Sequence, residues 1–204
     1  MSIQSGSKVG PLPDIQRVLR KWCHIINEWC ERRNWDDVPW WYNERASLGL
    51  LATAVWATGG VMLEEYSTEK GKEKKQWQGR GDLFLQVGKG KYVIEAKQKW
   101  VSISTRANEA KAAIEKSIGD AKKAARETRA NGGRRLGAVF VVPYMPKGEV
   151  SKVDKQIRSL VSDLKSIKKV NLAWVFPEKA RRDFQYKGYL YPGIAILLQP
   201  LRKL

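Results

Sequence analysis

The chain contains a single histidine, His24, and this scarcity excludes several kinds of catalysis. Ser-His-Asp and Cys-His hydrolases need a histidine placed beside a nucleophile and an orienting partner. His24 instead lies in a stretch rich in Trp and Ile, which is typical of a histidine packed on a helix. The sequence therefore does not indicate a hydrolase of these classes, nor a nuclease with a histidine general base.

The two cysteines, Cys23 and Cys30, are too few for a disulfide framework. They lie seven residues apart on a predicted helix, which separates them by about 10 Å along its axis, too far for a disulfide bond. Together with His24 they resemble part of a zinc site, but no second ligand pair follows. We expect both thiols to pack on a helix face.

Three other features are missing from the sequence. We find no signal peptide, no apolar run long enough to span a membrane, and no GxxxxGK[ST] phosphate-binding loop. We therefore expect a cytoplasmic, reducing location without membrane association, and no activity of the P-loop ATPase type.

Acidic residues are scarce relative to basic ones. The 38 Lys and Arg outnumber the 21 Asp and Glu, which leaves a formal charge of +17. A charge of this size attracts polyanions, and nucleic acid is the first candidate because binding its phosphates releases counterions. A membrane surface is the second candidate. The alternative is a soluble protein whose charged surface binds no polyanion.

Hydrophobic periodicity predicts an α/β protein whose elements follow the order helix, helix, three strands, helix, strand, helix and two strands. The apolar run 136–144 is typical of a central strand. We expect residues 1–13 to form a loose terminus and residues 68–78 a Lys-rich loop. The order of elements predicts a three-layer fold, with a mixed central sheet flanked by helices and an N-terminal helical extension over residues 1–42.

The residues most suggestive of chemistry are Asp82, Glu95 and Lys97, on two strands predicted to form a hairpin. Glu95 and Lys97 share one face because side chains alternate along a strand. A two-residue turn at Gly88 and Lys89 places Asp82 directly opposite Glu95, and a three-residue turn places it one position away. In either case two carboxylates and an ammonium group meet at one end of the hairpin.

Such a group can bind a metal ion and hydrolyse a phosphodiester. Neighbouring carboxylates repel each other unless a cation lies between them, and a few hard oxygen ligands suit Mg²⁺. The ion makes a bound water more acidic and offsets charge on the phosphate, while Lys97 orients or deprotonates the attacking water. The alternative is a solvated hairpin with a cross-strand salt bridge.

The pattern resembles the PD-(D/E)XK nuclease superfamily, which includes many restriction enzymes and Holliday-junction resolvases. Asp82 matches the first acid of the motif, and Glu95-Ala96-Lys97 matches E-x-K. One departure is that Gly81, and not proline, precedes Asp82. The resemblance implies a restriction-endonuclease-like core, reproduced in order by residues 43–144, and a nuclease-like domain over 43–204.

The same resemblance implies further site residues. Many members carry a metal-supporting Glu on the first core helix, and Glu44 is our candidate. A plain helix-start role is the alternative for Glu44, since acids are favoured in a first turn, and Glu64 and Glu65 are alternative acids. The expected metal ligands are thus Asp82, Glu95 and Glu44. Mg²⁺ is the expected cofactor, with Mn²⁺ able to substitute.

Candidates for nucleic-acid binding follow the motif. Between residues 97 and 135 there are eleven basic residues and four acidic ones. In the superfamily the helix after E-x-K lies near the site, so these residues can follow a phosphate backbone. A solvated helix stabilised by ion pairs is the alternative. The candidates are Gln98, Arg106, Lys122, Lys123, Arg126, Arg134 and Arg135.

Tryptophans near the N-terminus, at positions 22, 29, 35, 40 and 41, can either stack on bases or fill a core. We favour the core for Trp22 and Trp29.

The resemblance thus predicts a Mg²⁺-dependent nuclease acting on DNA. Two alternatives stay open: a basic module that binds nucleic acid without cutting it, and a nuclease subunit active only in a larger recombination, transposition or defence complex. A homodimer is a further expectation for its assembly.

Overall fold

The computed structural model describes residues 4–72, 75–104 and 107–201, with the backbone alone at 72, 107 and 108. Arg106 lies outside the described residues. The helices are α1 (Pro13–Arg32), α2 (Glu44–Trp56), α3 (Ala107–Glu127), α4 (Val153–Ser166) and α5 (Glu178–Asp183). The strands are β1 (Ser5–Lys8), β2 (Val61–Lys72), β3 (Lys75–Val87), β4 (Gly90–Ser102), β5 (Arg134–Pro146), β6 (Asn171–Val175), β7 (Gln185–Tyr186), β8 (Tyr189–Leu190) and β9 (Ile194–Pro200).

A mixed sheet forms the centre of the fold, in the order β1-β6-β9-β5-β4-β3-β2. Strands β4 and β5 are parallel and connected through α3, whereas the other pairs on this path are antiparallel. The apolar run at 136–144 lies in β5, between β4 and β9, so its prediction as a central strand is confirmed. A strand between two others with both faces covered can be apolar at every position.

Helices cover both faces of this sheet, as the sequence predicts. The apolar stripe of α1 packs with α2 on one face, around Trp22, Leu51 and Phe140. The stripes of α3 and α4 pack on the other face, where Ile114 and Ile157 contact the alternate side chains of the same strands. The result is a three-layer α/β arrangement. The division into an extension, 1–42, and a domain, 43–204, stays a prediction, although α1 shares its core with α2.

Two predicted irregular segments are strands, and both predictions are wrong for the same reason. Within residues 1–13, β1 pairs with β6 at the edge of the sheet, where Gly6 lies against the ring of Trp174. Residues 68–72 and 75–78 extend β2 and β3 into an antiparallel ribbon. Edge strands and two-stranded ribbons are held by backbone hydrogen bonds and bury little, so their sequences lack apolar alternation.

Within the part of the chain that the structure describes, no helix is both long and apolar enough to cross a membrane.

Candidate active site

The candidate site begins where β3 and β4 separate. The hairpin turn consists of Gly88 and Lys89, the shorter of the two predicted turns, and the last pair of the ladder is Leu83 with Ile94. Beyond that pair, β4 continues beside β5 while β3 continues beside β2. Asp82 and Glu95 are the next residues on the two diverging strands, so these acids stand at the opening of the fork.

The backbone of β2 is distorted beside the same fork. Its register with β3 passes from Glu64 opposite Leu83 to Tyr66 opposite Gly81. Between them Glu65 has a φ of 48°, in the left-handed region that residues with a Cβ rarely adopt. The position facing this distortion is Asp82, and strained backbone of this kind is concentrated at functional sites.

Where β3 has separated from β4, side-chain carboxylates accept the hydrogen bonds that the β4 backbone would otherwise donate to a neighbouring strand. The Ala96 N–H donates to Oδ2 of Asp82 at 2.8 Å, and the Gln98 N–H donates to Oε2 of Glu44 at 2.8 Å. These N–H groups alternate along β4, so both point toward the side that β3 has left. Each carboxylate thereby satisfies a backbone donor with one oxygen and keeps its second oxygen for another partner.

Glu44 is positioned by the start of α2. The Asn43 side chain caps this helix by accepting from the Ala46 N–H at 3.1 Å, and Glu44 is the first helical residue. Burial raises the pKa of Glu44, and the charges of Asp82 and Glu95 raise it further, whereas Lys97 lowers it. Glu44 therefore lies within electrostatic reach of the motif residues.

Gln98 is held by the segment around the start of α2. The Ser47 hydroxyl donates to Oε1 of Gln98 at 3.0 Å, and the Gln98 amide donates to the Tyr42 carbonyl at 3.3 Å. Its side chain thus ties β4 to α2 within the protein. The proposed contact with phosphate stays a prediction.

Glu95 is almost fully buried and already has two partners. The Lys70 ammonium lies 2.9 Å from its Oε1 and 3.1 Å from its Oε2, and the Thr128 hydroxyl donates to Oε1 at 2.6 Å. Burial raises the pKa of Glu95, as does the charge of Asp82, while the bonds from Thr128 and Lys70 oppose the shift. Sequence patterns did not single out Lys70, which they placed in a loop, or Thr128, which they placed in the helix that follows the motif.

Lys97, in contrast, is exposed. Strand alternation places it on the same face as Glu95, and its charge favours ionisation of Glu44. The structure therefore brings the three predicted acids and Lys97 into one electrostatic neighbourhood at the fork, with Lys97 as its solvent-facing cation.

Tyr66 adds an aromatic group that sequence patterns did not single out. Burial, followed by the charges of Glu95 and Asp82, raises the pKa of Tyr66 to about 12. Its hydroxyl is buried and has no hydrogen-bond partner among the described residues. The ring also accounts for Gly81, because a Cβ at position 81 would lie 2.6 Å from the ring carbon Cζ of Tyr66. Proline carries such a Cβ, so a proline before Asp82 would require the Tyr66 ring to move.

The predicted nucleic-acid-binding residues of α3 lie beside the same strands. Lys122 packs against Gly137, the residue paired with Glu95, and donates to the Gln199 side chain at 2.8 Å. Lys123 and Arg126 are exposed. The C-terminal half of α3, which packs against β4 and β5, thus presents exposed positive charge.

Arg134 and Arg135 are at the amino end of β5. Arg134 is exposed, whereas the Arg135 Nε donates to the Thr128 carbonyl at 2.7 Å. Arg135 also lines a polar groove of about 470 Å³ together with Lys70 and Arg129. A phosphate contact of either arginine stays a prediction.

The acids suit a metal held by few protein ligands. Across residues 4–72, 75–104 and 107–201, no three His, Cys, Asp or Glu side chains are grouped closely enough to form a metal cage. Mg²⁺, however, is commonly bound by one or two carboxylates together with waters and substrate phosphates. Asp82 and Glu44 each have one oxygen without a hydrogen-bond partner among the described residues, whereas Glu95 is occupied by Lys70 and Thr128.

Comparisons of this chain with models of protein families, with curated proteins and with solved structures give no match.

Proposed function

We propose that the chain is a metal-dependent nuclease of the PD-(D/E)XK type, with a restriction-endonuclease-like core, that hydrolyses phosphodiester bonds of DNA. The observation that carries the proposal is the fork between β3 and β4. There the carboxylates of Asp82 and Glu44 accept hydrogen bonds from two backbone N–H groups of β4, those of Ala96 and Gln98. Lys97 is the residue between these two donors. A hairpin stabilised only by a surface salt bridge does not require strands to separate around one buried and two partly buried acids.

Each residue has a distinct role in this proposal. Asp82 and Glu44 would hold the ion. Mg²⁺ bound there supplies an acidic water and offsets charge on phosphate oxygens. Lys97 orients the attacking water or stabilises the developing negative charge, and its exposure leaves it accessible to a substrate. Glu95 helps to set the negative potential of the site through its charge.

The basic surface supports a polyanionic substrate. The formal charge is +17, and Lys123 and Arg126 extend from α3 beside the catalytic strands. Contacts of this kind are made to phosphates and position a nucleic acid without reading its sequence.

A cleavage assay tests the proposal. The wild-type protein is incubated with linear, circular, single-stranded and branched DNA, and with RNA, in Mg²⁺, in Mn²⁺ and in EDTA. We expect metal-dependent cleavage that Asp82→Asn abolishes and Lys97→Ala strongly reduces. Asp120→Asn is the matched control, because Asp120 is an exposed acid of α3 and its loss leaves the fork intact. Absence of cleavage under all these conditions would reject the proposal.

The second candidate is a nucleic-acid-binding module without catalysis, and the state of Glu95 favours it. The resemblance to the nuclease superfamily implies that Glu95 binds the metal, yet Lys70 and Thr128 occupy its oxygens. Titration of the protein with Mn²⁺, read by calorimetry, separates the candidates. A nuclease binds the ion through Asp82, so Asp82→Asn abolishes the binding, whereas a pure binding module takes up DNA and no ion.

A further inference from the structure

Seven aromatic side chains form one cluster beside the candidate site. Trp41 is its centre, with ring centroids 4.6 Å from Tyr186, 4.7 Å from Tyr191, 5.6 Å from Trp100 and 6.5 Å from Phe184. The cluster ends at the carboxyl end of β5, where Tyr144 lies 5.6 Å from Tyr189. We call these residues the aromatic platform: Trp41, Trp100, Tyr144, Phe184, Tyr186, Tyr189 and Tyr191.

The outer part of the platform is open to solvent. Tyr186 is 45% exposed and Tyr189 is 41% exposed, and the neighbouring Tyr42 is 53% exposed. Trp22, for which the sequence favoured the core, is buried as predicted, and Trp40, for which stacking and the core both stayed open, is buried as well. Of the five tryptophans considered, Trp41 is the one that takes part in the platform.

Tyr186 and Tyr189 are held by a small hairpin. Strands β7 and β8 are joined by Lys187 and Gly188, both with positive φ. The hairpin pairs with the end of β5 and receives a hydrogen bond from the Lys147 N–H to the Gly188 carbonyl at 2.9 Å. This pairing fixes the two exposed rings on a rigid support.

The charges around the platform suit phosphate. The Lys187 ammonium lies 5.4 Å from the centroid of the Tyr186 ring, and Lys147, which follows β5 and hydrogen-bonds to this hairpin, is exposed. Three acids lie close in sequence: Asp183 at the end of α5, Glu44 three residues after Trp41, and Asp37, which accepts from the Tyr42 hydroxyl. Aromatic faces beside lysines are the combination with which proteins bind single-stranded nucleic acid.

The platform is continuous with the fork. Trp100 lies two residues after Gln98 on β4, or about 7 Å along the strand. Tyr42 connects the two sites. Its carbonyl accepts a hydrogen bond from the Gln98 side chain, and the residue before it in the chain is Trp41 of the platform. The platform therefore adjoins the segment that contacts Glu44 and Gln98.

We infer that the aromatic platform binds unpaired nucleotides of the substrate by stacking bases on Tyr186 and Tyr189, so that the protein prefers single-stranded or frayed nucleic acid. The inference rests on the proposed function for the identity of the polymer. It does not depend on cleavage, because stacking requires neither the metal nor Lys97.

Binding in EDTA tests the inference separately from catalysis. Fluorescence anisotropy gives the affinity for oligo(dT), oligo(rU) and a blunt duplex hairpin. Loss of one stacked base corresponds to about 1–3 kcal/mol, so Tyr186→Ala should weaken single-strand binding about 5- to 150-fold and leave duplex binding unchanged. Tyr186→Phe should retain wild-type affinity because the ring is retained.

Trp56→Ala is the matched control, since Trp56 is an exposed aromatic residue of α2 outside the platform. It should leave all three affinities unchanged, and circular dichroism should show each variant folded. Comparison of oligo(dT) with oligo(rU) identifies the sugar that the platform accepts.

Three results would overturn the inference: wild-type protein that does not bind single strands, an unchanged affinity in Tyr186→Ala, or an equal loss for single strand and duplex. Failure of the proposed function has a different signature, since wild-type protein would then bind single strands in a Tyr186-dependent manner without cleaving any substrate in Mg²⁺ or Mn²⁺.

Discussion

Removal of the Lys70 ammonium should destabilise the protein through the charge that remains on Glu95. Lys70→Met is the appropriate change, because it keeps an unbranched chain where the Lys70 methylenes lie near Gly79. The variant leaves the carboxylate of Glu95 buried with Thr128 as a partner and without its cation.

The expected cost follows from the burial of the pair. The side chain of Glu95 is 4% exposed and that of Lys70 is 18% exposed, so solvent screens their interaction little. Removal of one partner of a buried pair costs about 3–5 kcal/mol. Because Thr128 still donates to Glu95 and Lys70 is partly exposed, we expect about 3 kcal/mol, or a Tm lower by about 6–12 °C for a chain of this length.

The pH dependence of this loss identifies its cause. Lys70 favours the ionised form of Glu95, so its removal raises the pKa of Glu95 above the already raised value. The penalty should therefore be largest at neutral and higher pH and should shrink as the pH falls and Glu95 takes up a proton. Chemical denaturation of metal-free protein at several pH values measures it.

Two further variants make the test decisive. Lys70→Met combined with Glu95→Gln removes both charges and should recover most of the lost stability. Arg129→Met breaks the exposed pair with Glu69 on the same ribbon, and it should cost less than about 1 kcal/mol. If Lys70→Met costs no more than Arg129→Met, or if the double variant recovers nothing, the buried-pair reasoning is wrong.

Three other predictions concern separate parts of the site. Burial raises the pKa of Glu44 above its ordinary 4.5, so the ionised carboxylate disfavours the fold. Glu44→Gln should therefore raise the Tm of metal-free protein at pH 7, and this gain should vanish as the pH falls to 4.5, where Glu44 takes up a proton. A difference in Tm that does not change with pH would contradict this prediction. Gly81→Ala should lower the free energy of unfolding by about 1–3 kcal/mol through overlap with Tyr66, and Tyr66→Ala in the same chain should relieve the cost. Lys123→Glu should weaken binding of all DNA sequences alike and reduce the slope of log affinity against log salt by about one. Arg20→Glu, at an exposed position of α1, should change the affinity and the slope less. Equal effects of the two variants would show that α3 is not part of the interface.

The sequence alone determined the layers of the fold and the centre of the candidate site. Helical periodicity located α1 and α4, and the apolar run of β5 marked the middle of the sheet, because burial imposes a period on side chains. The Gly88-Lys89-Gly90 connection likewise predicted that Asp82 stands across from Glu95 or one position away, since a hairpin turn determines strand register locally, and the two acids directly follow the last pair of the ladder.

Only the tertiary structure decided which partners these residues have. Lys70 reaches Glu95 from 25 positions away and Thr128 from 33, across a ribbon whose polar sequence carries no apolar period. The aromatic platform likewise joins rings from Trp41 to Tyr191 that no local pattern connects. Contacts of this kind depend on how the strands diverge and bend, and that divergence follows from the packing of the whole sheet.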